Sequence, residues 1–193
     1  MGYGQAVSAH LDHRPEPQRL RTERLLLRPF RPDDVGAISR YATDEDYRRY
    51  LSPTHPGPEE FVAHNLGVDW SVERSWVITL DGVLTGSVFL GINAADVAAE
   101  LACLVAPEFW GRQIGFEACS AAIEHAFVDL DLSKVVARAD SRHDVSIRLM
   151  MKLGMRSRGV AHRLDDGRPD GTVDEVIYEI IRDEWSRARS DAR

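Results

Sequence analysis

The chain has 193 residues, the size of one large domain or two small ones. At 44% hydrophobic, 28% charged and 8% aromatic it lies near the globular average, which excludes a disordered, collagen-like or coiled-coil chain. Twenty-four Lys and Arg against 31 Asp and Glu leave a net charge of −7, so a nucleic-acid partner, which is gripped through basic surface, is not expected.

Met1 to Gln18 has neither the basic start and apolar centre of a signal peptide nor, with Ala6 where Ser or Thr is needed, a myristoylation motif. With Pro15, Pro17 and no periodicity, residues 1–20 read as a flexible N-terminal extension. His10 and His13 have a ligand-like spacing but no partner ligands, so no metal is assigned. Folding is expected to begin near Thr22 and to form one domain over residues 21–185, with residues 186–193 as a C-terminal tail. Leu25-Leu26-Leu27 suits a strand, and Asp33 after Pro32 is placed to cap a helix that turns Val35 and Ile38 inward. Thr43 to Leu51 and Pro58 to Trp70 have helical spacings, divided by the breaker-rich residues 52–57. From Ser75 the apolar period becomes two. Trp76-Val77-Ile78 and Ser87-Val88-Phe89-Leu90 form a hairpin about Asp81-Gly82, and Ala98 to Val105 adds a third antiparallel strand.

The longest apolar run, Leu101 to Pro107, is far shorter than the roughly 20 residues that span a bilayer, so no membrane partner is expected and the cytoplasm is the expected location. Cys103 and Cys119 lie among apolar neighbours and read as buried thiols, too few for a disulfide framework. After Pro107 the chain passes Trp110-Gly111-Arg112-Gln113-Ile114-Gly115 into a helix with Ile114, Ala118, Ala122, Ile123, Ala126 and Phe127 on one side. A strand at Lys134 to Ala139 and a helix from about Asp144 to Leu153, stopped by Gly154, come next. Strands around Arg156 to His162 and Val173 to Arg182 close the chain. This order predicts a mixed α/β sheet in which Ala98 to Ala139 is a right-handed βαβ unit with parallel strands, and ligands bind beyond the carboxyl ends of such strands.

At that end, Gly111 and Gly115 allow main-chain N–H groups to converge beside a helix N-terminus, with Arg112 available to a phosphate. The loop is a pyrophosphate cradle or a plain strand-to-helix turn. Neither G-x-G-x-x-G nor the P-loop pattern occurs, which disfavours dinucleotide and P-loop nucleotide cofactors.

Ala99-Glu100-Leu101 ahead of Pro107 to Ala118 resembles the GNAT superfamily of N-acetyltransferases, in its RimJ/RimL-type subgroup. Thr22 to Arg28, Ser146-Ile147-Arg148 through Lys152 to Met155, and Tyr178-Glu179 to Glu184-Trp185 agree with it in order and spacing. The resemblance implies an α/β (α+β) GNAT fold, a mixed twisted sheet of about six to seven strands with a central β-α-β unit and splayed parallel strands. It implies an acetyl-CoA-dependent acyltransferase that moves an acetyl group to a primary amine, on a protein N-terminus or a small molecule, by direct attack on the thioester. Carried over, the main chain of Cys103, Leu104 and Val105 binds pantetheine, and Trp110, Gly111, Arg112, Gln113, Ile114 and Gly115 bind the pyrophosphate. A free N–H near Leu104 polarises the thioester carbonyl. Glu100 is the implied general base, or a Glu near a strand end that orients the amine or bonds to backbone. Ser146 binds or protonates the CoA sulfur, or is simply a first-turn Ser, and His143 meets CoA or the acceptor, or is a surface residue. Cys103 as an acetyl-carrying nucleophile is disfavoured, because relatives often have Tyr there. A homodimer stays open.

The chain departs from the pattern at Gln113, where the loop usually has Gly; at His143, where many relatives have Asn; and at Met150, where many have a Tyr that protonates the thiolate. Gln113 and Met150 keep a non-catalytic CoA-binding regulatory module as the alternative. The acceptor pocket is expected from Asp33 to Trp70 and from Leu164 to Thr172. Tyr41, Tyr47, Tyr50 and Trp70 either line it or fill core.

Overall fold

A computed structural model describes residues 15–52, 54–164 and 171–191. His10 and His13 and most of the loop Leu164 to Thr172 therefore lie outside the described residues.

The sheet starts with β1 (Leu20–Arg21) and β2 (Leu25–Arg28), and a helical excursion follows through α1 (Asp34–Ser39), α2 (Glu45–Arg48) and α3 (Pro58–Leu66). The expected start of α1 is corrected: Asp33 makes no capping hydrogen bond. Its neighbour Asp34 does the work, accepting the Arg31 N–H at 2.7 Å and a bidentate pair from Arg28 at 2.9 and 2.6 Å. Asp44 accepts the Tyr47 N–H at 2.9 Å and starts α2, which is one turn long and not the nine-residue helix that the spacing suggests.

Next come β3 (Glu73–Leu80), β4 (Val83–Asn93) and β5 (Ala98–Val105). They pair antiparallel in that order, as expected. Both turn residues of the first hairpin, Asp81 and Gly82, have positive φ, 51° and 81°, as a two-residue primed turn requires. The rest of the chain is α4 (Ile114–Val128), β6 (Lys134–Asp140), α5 (Asp144–Lys152), β7 (Arg156–Leu164), β8 (Thr172–Ile181) and α6 (Arg182–Asp191). Gly154, at φ 80°, ends α5, with its N–H on Met151 O and the Met155 N–H on Met150 O.

One eight-stranded sheet runs in the order β1-β2-β3-β4-β5-β6-β8-β7, one strand more than expected because β1 is a two-residue strand. Among the described residues only β5 and β6 pair parallel. Side chains of alternate residues serve two cores. Ala99 and Leu101 of β5 pack with Trp76, Ile123 and Phe127 under α4, whereas Leu104 packs with Phe30, Ile38 and Phe61 under α1–α3.

Two boundaries differ from expectation. Gln18 O accepts the buried Trp76 indole N–H at 2.9 Å, so the fold takes hold before residue 21. The final strands do not close the chain, because α6 continues it into the expected tail. Trp185 lies 5.3 Å from the Phe127 ring, and Arg189 and Glu124 pair at 2.8 Å.

Candidate active site

β5 and β6 are paired only from Ala98 with Lys134 to Leu101 with Ala137. Beyond that point β5 keeps its whole ladder with β4, from Asn93–Ala98 to Gly86–Val105, and β6 keeps its own with β8 as far as Asp140–Glu175. The parallel strands therefore part into a gap. The Ala106 N–H bonds Thr85 O on β4, and a planar trans peptide sends the Val105 carbonyl the opposite way, into the gap, where Trp110 Nε1 donates to it at 2.7 Å. Leu104 faces the other direction: a Cβ added to Gly86 of β4 would lie 2.2 Å from Leu104 O. By strand alternation the main chains of Cys103 and Val105 face the gap. A free N–H at the gap therefore belongs to those two residues, and Leu104 offers its side chain to the α1–α3 core instead.

At the end of β5 a 3-10 turn (Pro107–Phe109) leads to the Gly loop, where Gly111 has φ 74° and Gln113 has φ 64°. A Gln here occupies the left-handed conformation that its Cβ disfavours. The first intrahelical bond of α4 is Glu117 N–H to Gln113 O, leaving the N–H groups of Ile114, Gly115 and Phe116 without an intrahelical acceptor. Three cations surround this helix end. Arg24 donates to Arg112 O at 3.2 Å, the Arg112 guanidinium stands 5.3 Å over the Phe109 ring, and Lys152 sits 4.6 Å over Phe116 and bonds Gln113 Oε1. Arg24 is paired with Glu117 at 2.6 Å, so Arg112 and Lys152 are the cations left beside the positive end of the helix.

The loop is anchored by Glu117, a role the sequence did not reveal although Thr22 and Arg24 stood in one of the resembling segments. Its carboxylate accepts the Thr22 hydroxyl, the Arg24 N–H at 3.0 Å and Arg24 Nε at 2.8 Å. Burial works against the charge on Glu117, yet the Thr22 hydrogen bond and the Arg24 contacts overcome it, so the carboxyl titrates below its usual range.

Beside the gap, Glu100 lies one residue before the last β5–β6 pair, not at the strand end. Its side chain, 55% exposed, has Oε1 3.3 Å from Arg138 Nε. Across the gap, Asp140 holds Arg142 through the Arg142 N–H and guanidinium, at 2.8 to 2.9 Å, and so shapes the turn into α5. His143 is the N-cap position of α5, and burial outweighs Asp140 and Asp144 to push its pKa down. Ser146 is half-buried in the first turn, and its hydroxyl makes no side-chain hydrogen bond among the described residues. Met150 is buried in the core.

Of the four aromatics weighed as acceptor-pocket lining, three are core. Tyr41 and Tyr47 pack edge to face under α1–α3, and burial pushes the Tyr47 phenol up to about 12. Trp70 belongs to the other core, against Trp76. Tyr50 stacks on His143 at the flank of the gap, and Tyr47, though core, lies near enough to Cys103 for that thiol to help raise its phenol. Cys103 is half-buried, with Sγ 3.9 Å from where a Gly115 Cβ would stand, and Cys119 is buried.

These residues fit acetyl-CoA: an open strand edge for its amide-bearing arm, and a helix N-terminus with Arg112 and Lys152 beside it for its phosphates. Among the described residues no cluster of three metal-ligating side chains occurs, and no helix is long and apolar enough to cross a membrane.

The chain is 28% identical over 171 residues to the uncharacterized N-acetyltransferase YnaD of Bacillus subtilis, covering 86% of this chain and 98% of that protein. An acetyltransferase (GNAT family) from Bacillus anthracis superposes with a TM-score of 0.77 at 23% identity, over 86% of this chain and 99% of that one. Spermidine N-acetyltransferase from Vibrio cholerae, solved with CoA and spermine, gives 0.72 at 20% identity over 86% and 99%. Residues 24–156, well over half of the chain, match the acetyltransferase (GNAT) domain, and the protein belongs to that family of acyltransferases.

Proposed function

We propose that the protein transfers the acetyl group of acetyl-CoA to a primary amine, on a protein N-terminus or a small molecule, by direct attack of the amine, as a RimJ/RimL-type member of its family. The observation that carries the reading is the divergence of β5 and β6 at Leu101 and Ala137, opening onto the cationic N-terminus of α4. Acetyl-CoA supplies an acyl group already activated as a thioester. The gap-facing main chain of Cys103 and Val105 holds the pantetheine arm, and an N–H there polarises the carbonyl. The loop from Trp110 to Gly115, with Arg112, holds the pyrophosphate. Glu100 takes the amine proton, directly or through water that its exposure admits, while Arg138 orients it. Ser146 Oγ donates to the departing sulfur, and His143 contacts CoA or the acceptor.

An α-amine of pKa about 7.7–8.0 is partly neutral at cellular pH, whereas a Lys-type amine near 10.4 is almost wholly charged and depends on the base. Thiol release from acetyl-CoA across a panel of amines and peptides tests the transfer. Glu100→Gln should lower kcat by at least about 10²-fold with CoA affinity unchanged. A loss within about tenfold for every acceptor would make Glu100 a positioning group. The buried Met150 favours a second reading, a regulatory module that binds CoA without turnover; tight CoA binding in calorimetry with no thiol release from any amine supports it. The net charge of −7 supports the absence of a nucleic-acid partner, and a cytoplasmic site of action, no membrane partner and a homodimer are included in the proposal.

A further inference from the structure

We propose that Tyr50 is a specificity-determining residue: it bridges the gap on the acceptor side and sorts amines by the bulk on the carbon that carries the nitrogen. The inference rests on the acetyl-transfer reading and deepens it.

Tyr50 comes from the segment after α2, in the layer that covers β2–β4. It crosses to the turn between β6 and α5, where its ring stacks on His143 at 4.1 Å and 13° and its hydroxyl donates to Arg142 O at 3.2 Å. The two contacts span 92 or more residues of sequence and join the flanks of the gap. The receiving turn is fixed, because Asp140 clamps Arg142 from the main chain and the guanidinium at once.

The face below the bridge is open. Glu100, Ala102 and Leu104 project on the α1–α3 side by strand alternation; Leu104 is covered by that layer, but Ala102 and Glu100 are exposed. An amine approaching the gap from this side passes Glu100, Arg138 and the small Ala102, and meets Tyr50 and His143 opposite. Tyr41 and Trp70 are spent in the two cores and Tyr47 is largely buried there, which leaves Tyr50 as the half-buried tyrosine of this segment. A half-buried aromatic pair held by a stack and a hydrogen bond forms a firm wall. Unbranched amines pass it, and amines on a branched or ring carbon are held back.

The test measures kcat/KM for a series of primary amines of increasing bulk beside the nitrogen, with CoA affinity followed by calorimetry. Tyr50→Ala should raise the bulky-to-unbranched ratio by at least about tenfold, the order by which small changes in pocket volume discriminate. CoA affinity should stay within about twofold, which also shows that the variant is folded. Tyr50→Phe, which keeps the stack, should retain the wild-type ratio, and Tyr50→Leu should fall between. An unchanged ratio in Tyr50→Ala and Tyr50→Leu, with the wild type turning over unbranched amines, overturns this inference alone. Equal loss for every amine makes Tyr50 structural and also overturns it. A wild type that acetylates no amine overturns the transfer reading and this inference with it.

Discussion

Gln113 allows a close test of how the loop is held, because its conformation and its side chain act in opposite directions. At φ 64° and ψ 12° it sits in the left-handed region, which costs an L-residue about 1–2 kcal/mol relative to Gly. Its exposed side chain bonds Lys152, and a surface contact of that kind contributes about 0.5 kcal/mol. Gln113→Gly removes the strain and the contact, and adds about 0.4–1 kcal/mol of unfolded-state entropy. The net effect lies between a loss of about 0.5 and a gain of about 1 kcal/mol. Gln113→Ala keeps the strain and also loses the contact, so it should be the less stable of the two by up to about 1.6 kcal/mol, with a midpoint of about 0.8. For a chain of this size, 1 kcal/mol moves Tm by about 2–4 °C, so the order of the variants is resolved by thermal or urea unfolding without ligand. CoA binding to Gln113→Gly should be equal to wild type or tighter, since Lys152 is freed toward the helix end. A glycine variant less stable than the alanine variant would refute the strain argument, and clear weakening of CoA binding would show that the Gln side chain is itself a ligand.

Gly86→Ala should destabilise by more than about 3 kcal/mol in urea unfolding, because its Cβ would meet backbone at 2.2 Å from Leu104 O and 3.0 Å from Val105 Cα. Gly115→Ala, whose Cβ meets Val105 and Leu149 side chains at 3.5 and 3.6 Å, should stay within about 1 kcal/mol. Removing residues 1–17 should leave the melting point unchanged, whereas removing Gln18 as well should cost about 1–3 kcal/mol by orphaning the buried Trp76 N–H. Glu117→Gln should cost about 1–3 kcal/mol at pH 7. The folded carboxyl titrates below its unfolded value of about 4.3, so its contribution is present above that pH and lost as pH falls through the folded value; the wild-type advantage should therefore shrink in unfolding curves taken toward pH 3.

Local signals were legible where one neighbourhood decides the outcome. Alternation from Ser75 gave the hairpin, and Asp81-Gly82 both took the positive φ that the turn needs. β5 begins and ends where its pattern does, and Gly154 closes α5. What escaped depends on partners distant in sequence. Helix α6 has Trp185 as its main apolar anchor and no stripe, so its docking on Phe127 could not be read from its own residues. Asp33 and Asp34 are equivalent as caps until Arg28 is brought beside one of them. Likewise the bond of Glu117 to Thr22 and Arg24, and the stack of Tyr50 on His143, join segments that only the folded sheet brings together.

The gap is a property of the sheet, not of the loop beside it. β5 is fully paired to β4 on its outer side and β6 to β8 on its own, so beyond Leu101 and Ala137 each strand follows its own antiparallel ladder and the two halves of the sheet part together. The close approach of Gly86 to Leu104 O draws β5 toward β4 at the point where β6 has departed. Under the opening, Gly115 fits between Val105 and Leu149, and Met150 is buried behind it, so the space beneath is filled by packed side chains. An edge held open this way leaves main-chain groups of Cys103 and Val105 without a strand partner, and exposed N–H and C=O groups in a fixed row are what an amide-bearing ligand can satisfy at little conformational cost. Trp110 already satisfies one of them, the Val105 carbonyl, from within the chain. The length of ligand that the edge can pair is thus set by this indole at one end and by the Leu101–Ala137 pair at the other.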